Sequence, residues 1–336
     1  MNCFEVIKNN KMKNKNILIT CGGRRVSLLK FFQTELKKIY PEGLVYITDS
    51  HPLLSSAAHL ADGFFKVPDL SSPHYINELL NICIENKIAL LIPTFDRELL
   101  ALSQNEELFK KNGITIVISS TDFINKTINK SNTHRFFKSL NIPFPKEYSK
   151  KEYKLPIYIK PNLGSNSKDN FVITSENDFL KKHFVNDEYL FLEYLNPNEF
   201  KEYTCDLYYS KTHHLKCAVP RKRLEVRAGE VSKALTKKNE ILDFIYKHFS
   251  FLPGARGCIN IQLFKHTSTS KIVCIEINPR FGGGFPLSYH AGANYPLWIL
   301  NEYLLGKEIT FYSGWEDNLL MLRYDQEVIA RNFING

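Results

Sequence analysis

Four oxygen-bearing side chains recur at two-residue spacing in the stretch GCINIQLFKHTSTSKIVCIEINPRFGGGF, residues 257–285. The stretch reads as two short strands around a polar turn, His266 to Lys271, followed by a glycine run. Alternation puts Asn260, Gln262 and Phe264 on one face of the first strand and Ile259, Ile261 and Leu263 on the other. On the second strand it groups Cys274, Glu276 and Asn278, with Val273, Ile275 and Ile277 opposite. If Gln262 pairs with Glu276, Asn260 falls opposite Asn278. Amide and carboxylate oxygens suit a hard cation, and Mg²⁺ takes few protein ligands while phosphate and water complete its shell. A hairpin with one solvated polar face has the same pattern, so these residues alone leave both readings open.

A second candidate is Lys160. It lies on a strand beginning at Pro156, before a small polar loop, 162–170, and a strand returning to Ile173. A lysine on the inner face beneath such a loop can clamp phosphate; a lysine on an edge strand in solvent has the same signature. Arg221 and Arg223 follow a further strand, and guanidinium groups suit bidentate carboxylate binding. Gly282-Gly283-Gly284 allows close approach of backbone to a ligand, or close packing.

These residues need elements to hold them. Strands at 16–20, 44–48, 88–92 and 114–118 alternate with helical spacing at 24–40, 53–61, 74–86 and 97–111. That order predicts a parallel, doubly wound α/β sheet with helices on both faces. Ligands to such sheets sit at the carboxyl ends of strands, here Gly22, Gly23, Arg24, Asp49, Thr94, Asp96 and Glu98. Gly22-Gly23 with Asp49 downstream lacks the G-x-G-x-x-G spacing of a dinucleotide fingerprint, so a tight turn is the better reading. A helix from Asn129 through Leu140 ends before Pro143 and Pro145, marking a domain boundary. Beyond it come a helical segment at 176–185, strands at 188–193, 202–209 and 215–219, a helix at 239–249, the hairpin, and a helix at 294–305. The elements alone suggest a disordered extension over 1–15, a parallel α/β domain over 16–120 and a further domain beyond it.

The bulk numbers exclude some functions. The 336 residues carry a formal charge of +9, but the surplus lies in short Lys/Asn-rich pieces and not in one basic stripe with interleaved aromatics. A nucleic-acid partner is therefore not expected. No apolar run approaches the length of a membrane span. The seven cysteines include no C-x-x-C pair, which argues against zinc and a disulfide framework and for a reducing cytoplasm. The first fifteen residues match no standard signal, and Met12, just before the first strand, is an alternative start.

In their order and spacing these pieces resemble an ATP-grasp enzyme, from the branch similar to carbamoyl-phosphate synthetase large-subunit domains and the pyrrolysine-biosynthesis ligase. The resemblance runs from about residue 16 to 307. Asn260-x-Gln262 followed by Glu276-x-Asn278-Pro279-Arg280 carries it most specifically. Glu193-Tyr194-Leu195, Glu202-Tyr203-Thr204-x-Asp206, Lys130 and Lys160-Pro161 add to it. The fold it implies is a Rossmann-like pre-ATP-grasp domain over 16–120 followed by a two-lobed α+β ATP-grasp domain, with a small lobe over 121–190 and a large lobe over 191–330.

The resemblance also implies roles. Lys130 and Lys160 hold the α- and β-phosphates, and the loop with Ser165, Ser167 and Lys168 folds over them. Glu193, Tyr194 and Leu195 read the adenine edge, and Glu202 binds the ribose. Gln262, Glu276 and Asn278 hold two Mg²⁺ ions, with Mn²⁺ an acceptable substitute. Arg280, Arg221 and Lys160 serve the transferring phosphoryl group and acceptor. The implied activity is ATP-dependent ligation of a small carboxylate and an amine, amino acids among them, through an acyl phosphate. An acyl-phosphate-forming kinase of the same fold and a non-catalytic nucleotide-binding regulatory module are the alternatives. A homodimer is compatible. Two departures stand out: the 162–170 loop is poor in glycine, and a single ATP-grasp unit without a glutaminase argues against carbamoyl-phosphate synthesis itself.

Overall fold

The structure, a computed structural model, describes residues 15–164, 169–227 and 229–333. The expected extension therefore lies outside the described residues except for Lys15, as do Ser165, Ser167 and Lys168. The chain divides into two compact units. One runs to Ser119 and adds Asn294–Thr310 and the chain from Asp325. The other comprises Ser120–Ala293 and Phe311–Tyr324.

The first unit is the parallel α/β domain that alternation of strand and helix predicts. Its elements are β1 (Asn16–Thr20), α1 (Val26–Ile39), β2 (Val45–Asp49), α2 (Ser56–Leu60), β3 (Gly63–Lys66), α3 (Tyr75–Glu85), β4 (Ile88–Pro93), α4 (Asp96–Gln104), α5 (Glu106–Lys111) and β5 (Thr115–Ile116). The sheet order is β3-β2-β1-β4-β5, with parallel pairing throughout. Central strands covered on both faces need apolar residues at every position. Accordingly Ile17, Leu18 and Ile19 of β1 and all six residues of β4 are buried. The edge strand β3 escapes sequence reading because only alternate residues are covered. The helix expected over 97–111 breaks at Asn105, whose side-chain amide donates to the Ala101 carbonyl (2.9 Å) and closes α4 before α5 begins. The helical stretch 295–304, expected to belong with the large lobe, instead joins this unit, packing Ile299 and Leu300 toward α1 and β4.

The second unit holds two antiparallel sheets. It begins with α6 (Thr121–Thr127) and α7 (Lys130–Ser139), the latter capped by Asn129, whose side chain accepts from the Asn132 amide (2.8 Å). The small sheet, ordered β6-β9-β7-β8, contains β6 (Glu147–Tyr148), β7 (Ile157–Pro161), β8 (Phe171–Ile173) and, after α8 (Lys181–Val185), β9 (Tyr189–Glu193). The helix expected over 176–185 is thus a short 3-10 turn at Glu176–Asp178 and then α8. The large sheet is built from β10 (Phe200–Tyr209), β11 (Leu215–Arg227), β12 (Glu230–Thr236), then after α9 (Ile241–Phe249) the hairpin β13 (Gly257–His266) and β14 (Ile272–Asn278). After α10 (Phe285–His290), β15 (Leu320–Leu322) completes the order β14-β13-β10-β11-β12-β15. One face of this sheet forms the main core: Cys205, Leu207, Ile259, Ile261 and Leu263 pack against Ile241, Ile245 and Phe249 of α9. Phe123, Phe137 and Ile142 are buried in that same core. The segment 121–142, expected to open the small lobe, therefore packs on the large sheet.

Candidate functional site

The opposite face of the large sheet carries the polar side chains of the hairpin. β13 and β14 pair in the expected register, Gln262 with Glu276 and Asn260 with Asn278. On the other side Gln262 pairs with Thr204 and Asn260 with Asp206 of β10, and Thr204 pairs with Arg221 of β11. Directly paired residues share a face, so Arg221, Thr204, Gln262 and Glu276 form one polar row, flanked by the row of Asp206, Asn260 and Asn278. The alternation expected along β14 fails at one point. The register shifts between Gln262 and Leu263, so that Leu263 meets Cys274. A bulge moves side chains by one position: Cys274 drops into the main core, while Val273 and Ile275 join Leu195, Phe200 and Phe264 in an apolar cluster beside the polar rows.

Within the polar rows, Asn278 Nδ2 donates to Glu276 Oε1 (3.1 Å). Arg280 is folded back, its Nη2 on Asn278 Oδ1 (3.4 Å) and its Nη1 on the Phe281 carbonyl (3.3 Å). Asn260 Nδ2 holds the Arg280 carbonyl (2.9 Å). The donor set, two amide oxygens from Gln262 and Asn278 and the Glu276 carboxylate, is hard and carries a single charge. Among the described residues no group of three or more His, Cys, Asp or Glu could hold a metal. The set therefore fits a Mg²⁺ ion that takes most of its oxygens from phosphate and water.

Across from these rows lie two lysines, Lys160 on the small sheet and Lys130 on α7. Lys160 on β7 is 4% exposed, and burial pulls its ammonium down to about 8; Glu276 holds it up, and Lys130 pushes it down further. Lys130, first residue of α7, reaches the Asn162 and Gly164 carbonyls (3.3 and 3.2 Å), while Asn162 Oδ1 accepts the Ser131 amide (3.0 Å). Burial also lowers the Lys130 ammonium, and Glu276 opposes that shift. Two cations and one carboxylate thus act on one another across the space between the sheets. Tyr158, two residues before Lys160 and on the same face, was not singled out by sequence reasoning although its spacing is the signal. Burial raises its phenol, an Asn170 contact lowers it, and Glu202 and Glu276 raise it.

The other expected contacts fall as follows. Glu202 is bound by Arg223 Nη1; burial raises its carboxyl, Arg223 lowers it, and Glu276 raises it. Glu193 is engaged by the Lys146 amide (3.3 Å) and by Lys271 Nζ (3.4 Å), so its carboxylate already spans from the start of the small lobe to the turn after β13. Tyr194 is half-buried, and Leu195 lies in the apolar cluster. Arg221 differs most from expectation. It is 1% exposed, with Nε and Nη2 forked onto Asp206 (2.7 and 3.0 Å), and Ser288 Oγ donates to the same carboxylate (2.5 Å). Its Nη1 lies beneath Gly284, where an added Cβ would come within 2.1 Å. The glycine run is close-packed here: added Cβ atoms at Gly282 and Gly283 would meet Asn260 (2.8 Å) and Glu230 (3.1 Å). Arg221 therefore supports that run from below instead of facing an acceptor.

From above, Arg323 donates through Nη2 to the Gly283 carbonyl (2.5 Å) and through Nη1 to Glu230 (2.9 Å). No sequence signal links Arg323 and Glu230, which are 93 residues apart. In the first unit, Gly23 accepts its expected turn (φ +46°) and its amide donates to Asp49 (3.2 Å). Glu98 is fully buried, accepting from Tyr75, Thr94 and Phe95.

A profile described as "PylC-like, N-terminal domain" matches residues 17–117, and one described as "ATP-grasp in the biosynthetic pathway with Ter operon" matches residues 186–319. The resemblance to ATP-grasp enzymes expected from the sequence is thereby borne out. No curated protein matches the sequence. Among solved structures, the biotin carboxylase–β-γ-ATP complex of Campylobacter jejuni is similar at 13% identity and TM-score 0.70, over 93% of this chain and 75% of that one. An ADP complex of Staphylococcus aureus N5-carboxyaminoimidazole synthetase is 17% identical, TM-score 0.65, over 93% and 82%. The biotin carboxylase domain dimer of Hydrogenobacter thermophilus 2-oxoglutarate carboxylase, with MgADP, ADP and bicarbonate, is 13% identical, TM-score 0.68, over 91% and 73%. At these identities the likeness shows the ATP-grasp fold alone. The expected architecture, a Rossmann-like domain ahead of an antiparallel ATP-grasp domain, is thereby borne out. No helix among the described residues is long and apolar enough to cross a membrane.

Proposed function

We propose that this ATP-grasp chain is an ATP-dependent ligase that joins a small carboxylate to an amine. The observation that carries the reading is the opposition of Lys160 and Lys130 to the Glu276 row within one unit. Phosphoryl transfer needs positioning and charge neutralisation more than covalent help, and these groups supply both. Lys130 and Lys160 hold the nucleotide's phosphates, and the apolar cluster of Leu195, Phe264 and Ile275 takes the base. Gln262, Glu276 and Asn278 would hold Mg²⁺, one ion or two, which would supply charge neutralisation at the phosphates, and Mn²⁺ would serve as well. A carboxylate oxygen of the substrate attacks the γ-phosphorus, the bond to the bridging oxygen breaks, and ADP leaves. The amine nitrogen then attacks the acyl carbon, inorganic phosphate departs with the acyl oxygen, and the amine gives up its proton.

Incubating the full chain with ATP, Mg²⁺ and carboxylates crossed with amines tests this. ADP and phosphate are expected only with a matched pair, and mass analysis of the product then shows an amide. A hydroxamate formed with hydroxylamine in place of the amine, together with ADP release that ignores every amine, contradicts the ligase reading and favours the kinase. No ADP release across a broad panel from a chain that binds MgADP favours the regulatory module.

Lys160 adds a pH signature. A lysine whose native value, about 8, lies below that of the unfolded chain loses its proton first in the native state. The cost of burying its charge is thus present below pH 8 and disappears as pH rises beyond it. Nucleotide binding has the opposite demand, because phosphate needs the ammonium. ADP affinity is expected to fall above about pH 8, and binding there to take up a proton. Calorimetry in two buffers of different ionisation heat checks the uptake, and Lys160→Met is expected to remove it.

A further inference from the structure

α7 is anchored on one lobe and grips the other. Phe137 buries its ring in the large-sheet core, whereas His134, one turn earlier and 2% exposed, turns to the small sheet. There His134 Nδ1 hydrogen-bonds Glu147 Oε1 on β6, and its ring stacks on Phe144 at 5.1 Å and 23°. Nε2 is buried without a partner. A carboxylate only accepts, so Nδ1 carries the proton of this bond and donates it to Glu147.

The position of this pair gives it a consequence beyond packing. Lys130 and His134 are four residues apart on α7 and so share a helix face. Glu147 pairs with Leu192, and Leu192 pairs with Tyr158, so Glu147 lies on the sheet face that Tyr158 and Lys160 share. Glu147 is also among the charges acting on Lys160. We infer that His134 and Glu147 are positioning residues: their hydrogen bond sets the helix carrying Lys130 against the sheet carrying Lys160, and so fixes the spacing of the two phosphate-holding lysines. The inference rests on the nucleotide reading above.

Calorimetric titration of MgADP into the full chain and its variants tests it, at a temperature well below unfolding. His134→Ala and Glu147→Ala are each expected to weaken binding about tenfold or more, the scale at which a slightly misplaced contact is felt. The double variant is expected to bind no more weakly than either single one, because both remove the same bond. His134→Gln and Glu147→Gln, which can keep a donor and an acceptor in place, are expected to bind within about threefold of the parent. Glu147 is 40% exposed, so Glu147→Ala retains the fold even if His134→Ala does not. Ile173→Val, in the small-lobe core on the other sheet face, serves as the control: it lowers the melting temperature and leaves MgADP affinity unchanged. Parent-like affinity in folded Glu147→Ala, or losses that multiply in the double variant, overturns the inference alone. A parent chain that does not bind MgADP overturns the nucleotide reading and this inference with it.

Discussion

Replacing Glu276 by glutamine is expected to lower turnover by about 10²-fold or more while leaving the fold intact, the scale on which a single preorganised electrostatic contact acts in a transition state. Glu276 is the only carboxylate of the Gln262–Glu276–Asn278 donor set, and the same group opposes the lowering of Lys130 and Lys160. The substitution keeps the shape and one acceptor oxygen, and Asn278 Nδ2, now 3.1 Å from Glu276 Oε1, can still donate to it. What it removes is the charge. Two signatures follow. Mg²⁺ is expected to strengthen ADP binding in the parent and to do so far less in the variant. With Glu276 no longer holding it up, the Lys160 ammonium is expected to titrate below about 8. Turnover and Mg²⁺ dependence close to the parent would remove Glu276 from the proposed metal site.

The second large effect is on stability. Asp206 is 0% exposed and Arg221 1%, and they meet in a two-bond fork that Ser288 completes. Removing one partner of a buried ion pair strands the other charge, which costs about 3–5 kcal/mol. Asp206→Ala is expected to lower the free energy of unfolding by about that amount in a denaturant titration. Replacing both charges, Asp206→Leu with Arg221→Met, is expected to recover much of the loss, because no charge is then left alone. The same strut lies beneath Gly284, so the single variant is also expected to loosen the glycine run. A loss no larger than that of a surface substitution would mean that the fork contributes little.

How much of this was legible depended on how local each signal is. The parallel sheet could be read because strands covered on both faces spell their burial in consecutive residues, as in Ile17–Ile19 and Ile88–Pro93. The hairpin register was legible because polar residues at two-residue spacing on both strands admit one pairing that aligns them. The bulge beside Gln262 was not, since an extra residue leaves no mark in alternation until side chains are seen to change face. Lys160 stood out by its loop, and Tyr158, one alternation earlier, was overlooked because a tyrosine in a strand has an ordinary apolar reading. Arg221 looked like a substrate ligand because its type and place allowed it. Its burial depends on Gly284 and Ser288, more than sixty residues later, and on no local pattern. The Arg323–Glu230 clamp and the membership of 294–310 in the first unit are likewise long-range, set by which surfaces are left to be covered.

In the proposed reading, Lys160 and the Glu276 row face the phosphates of one nucleotide. Titration of MgADP into the full chain, beside Lys160→Ala, decides whether they do. A single saturable site in the parent, weakened at least about tenfold by Lys160→Ala, is the predicted result, since a lost contact to a charged group costs about 1.5–3 kcal/mol. No binding by the parent, or equal affinity in the two proteins, would contradict it.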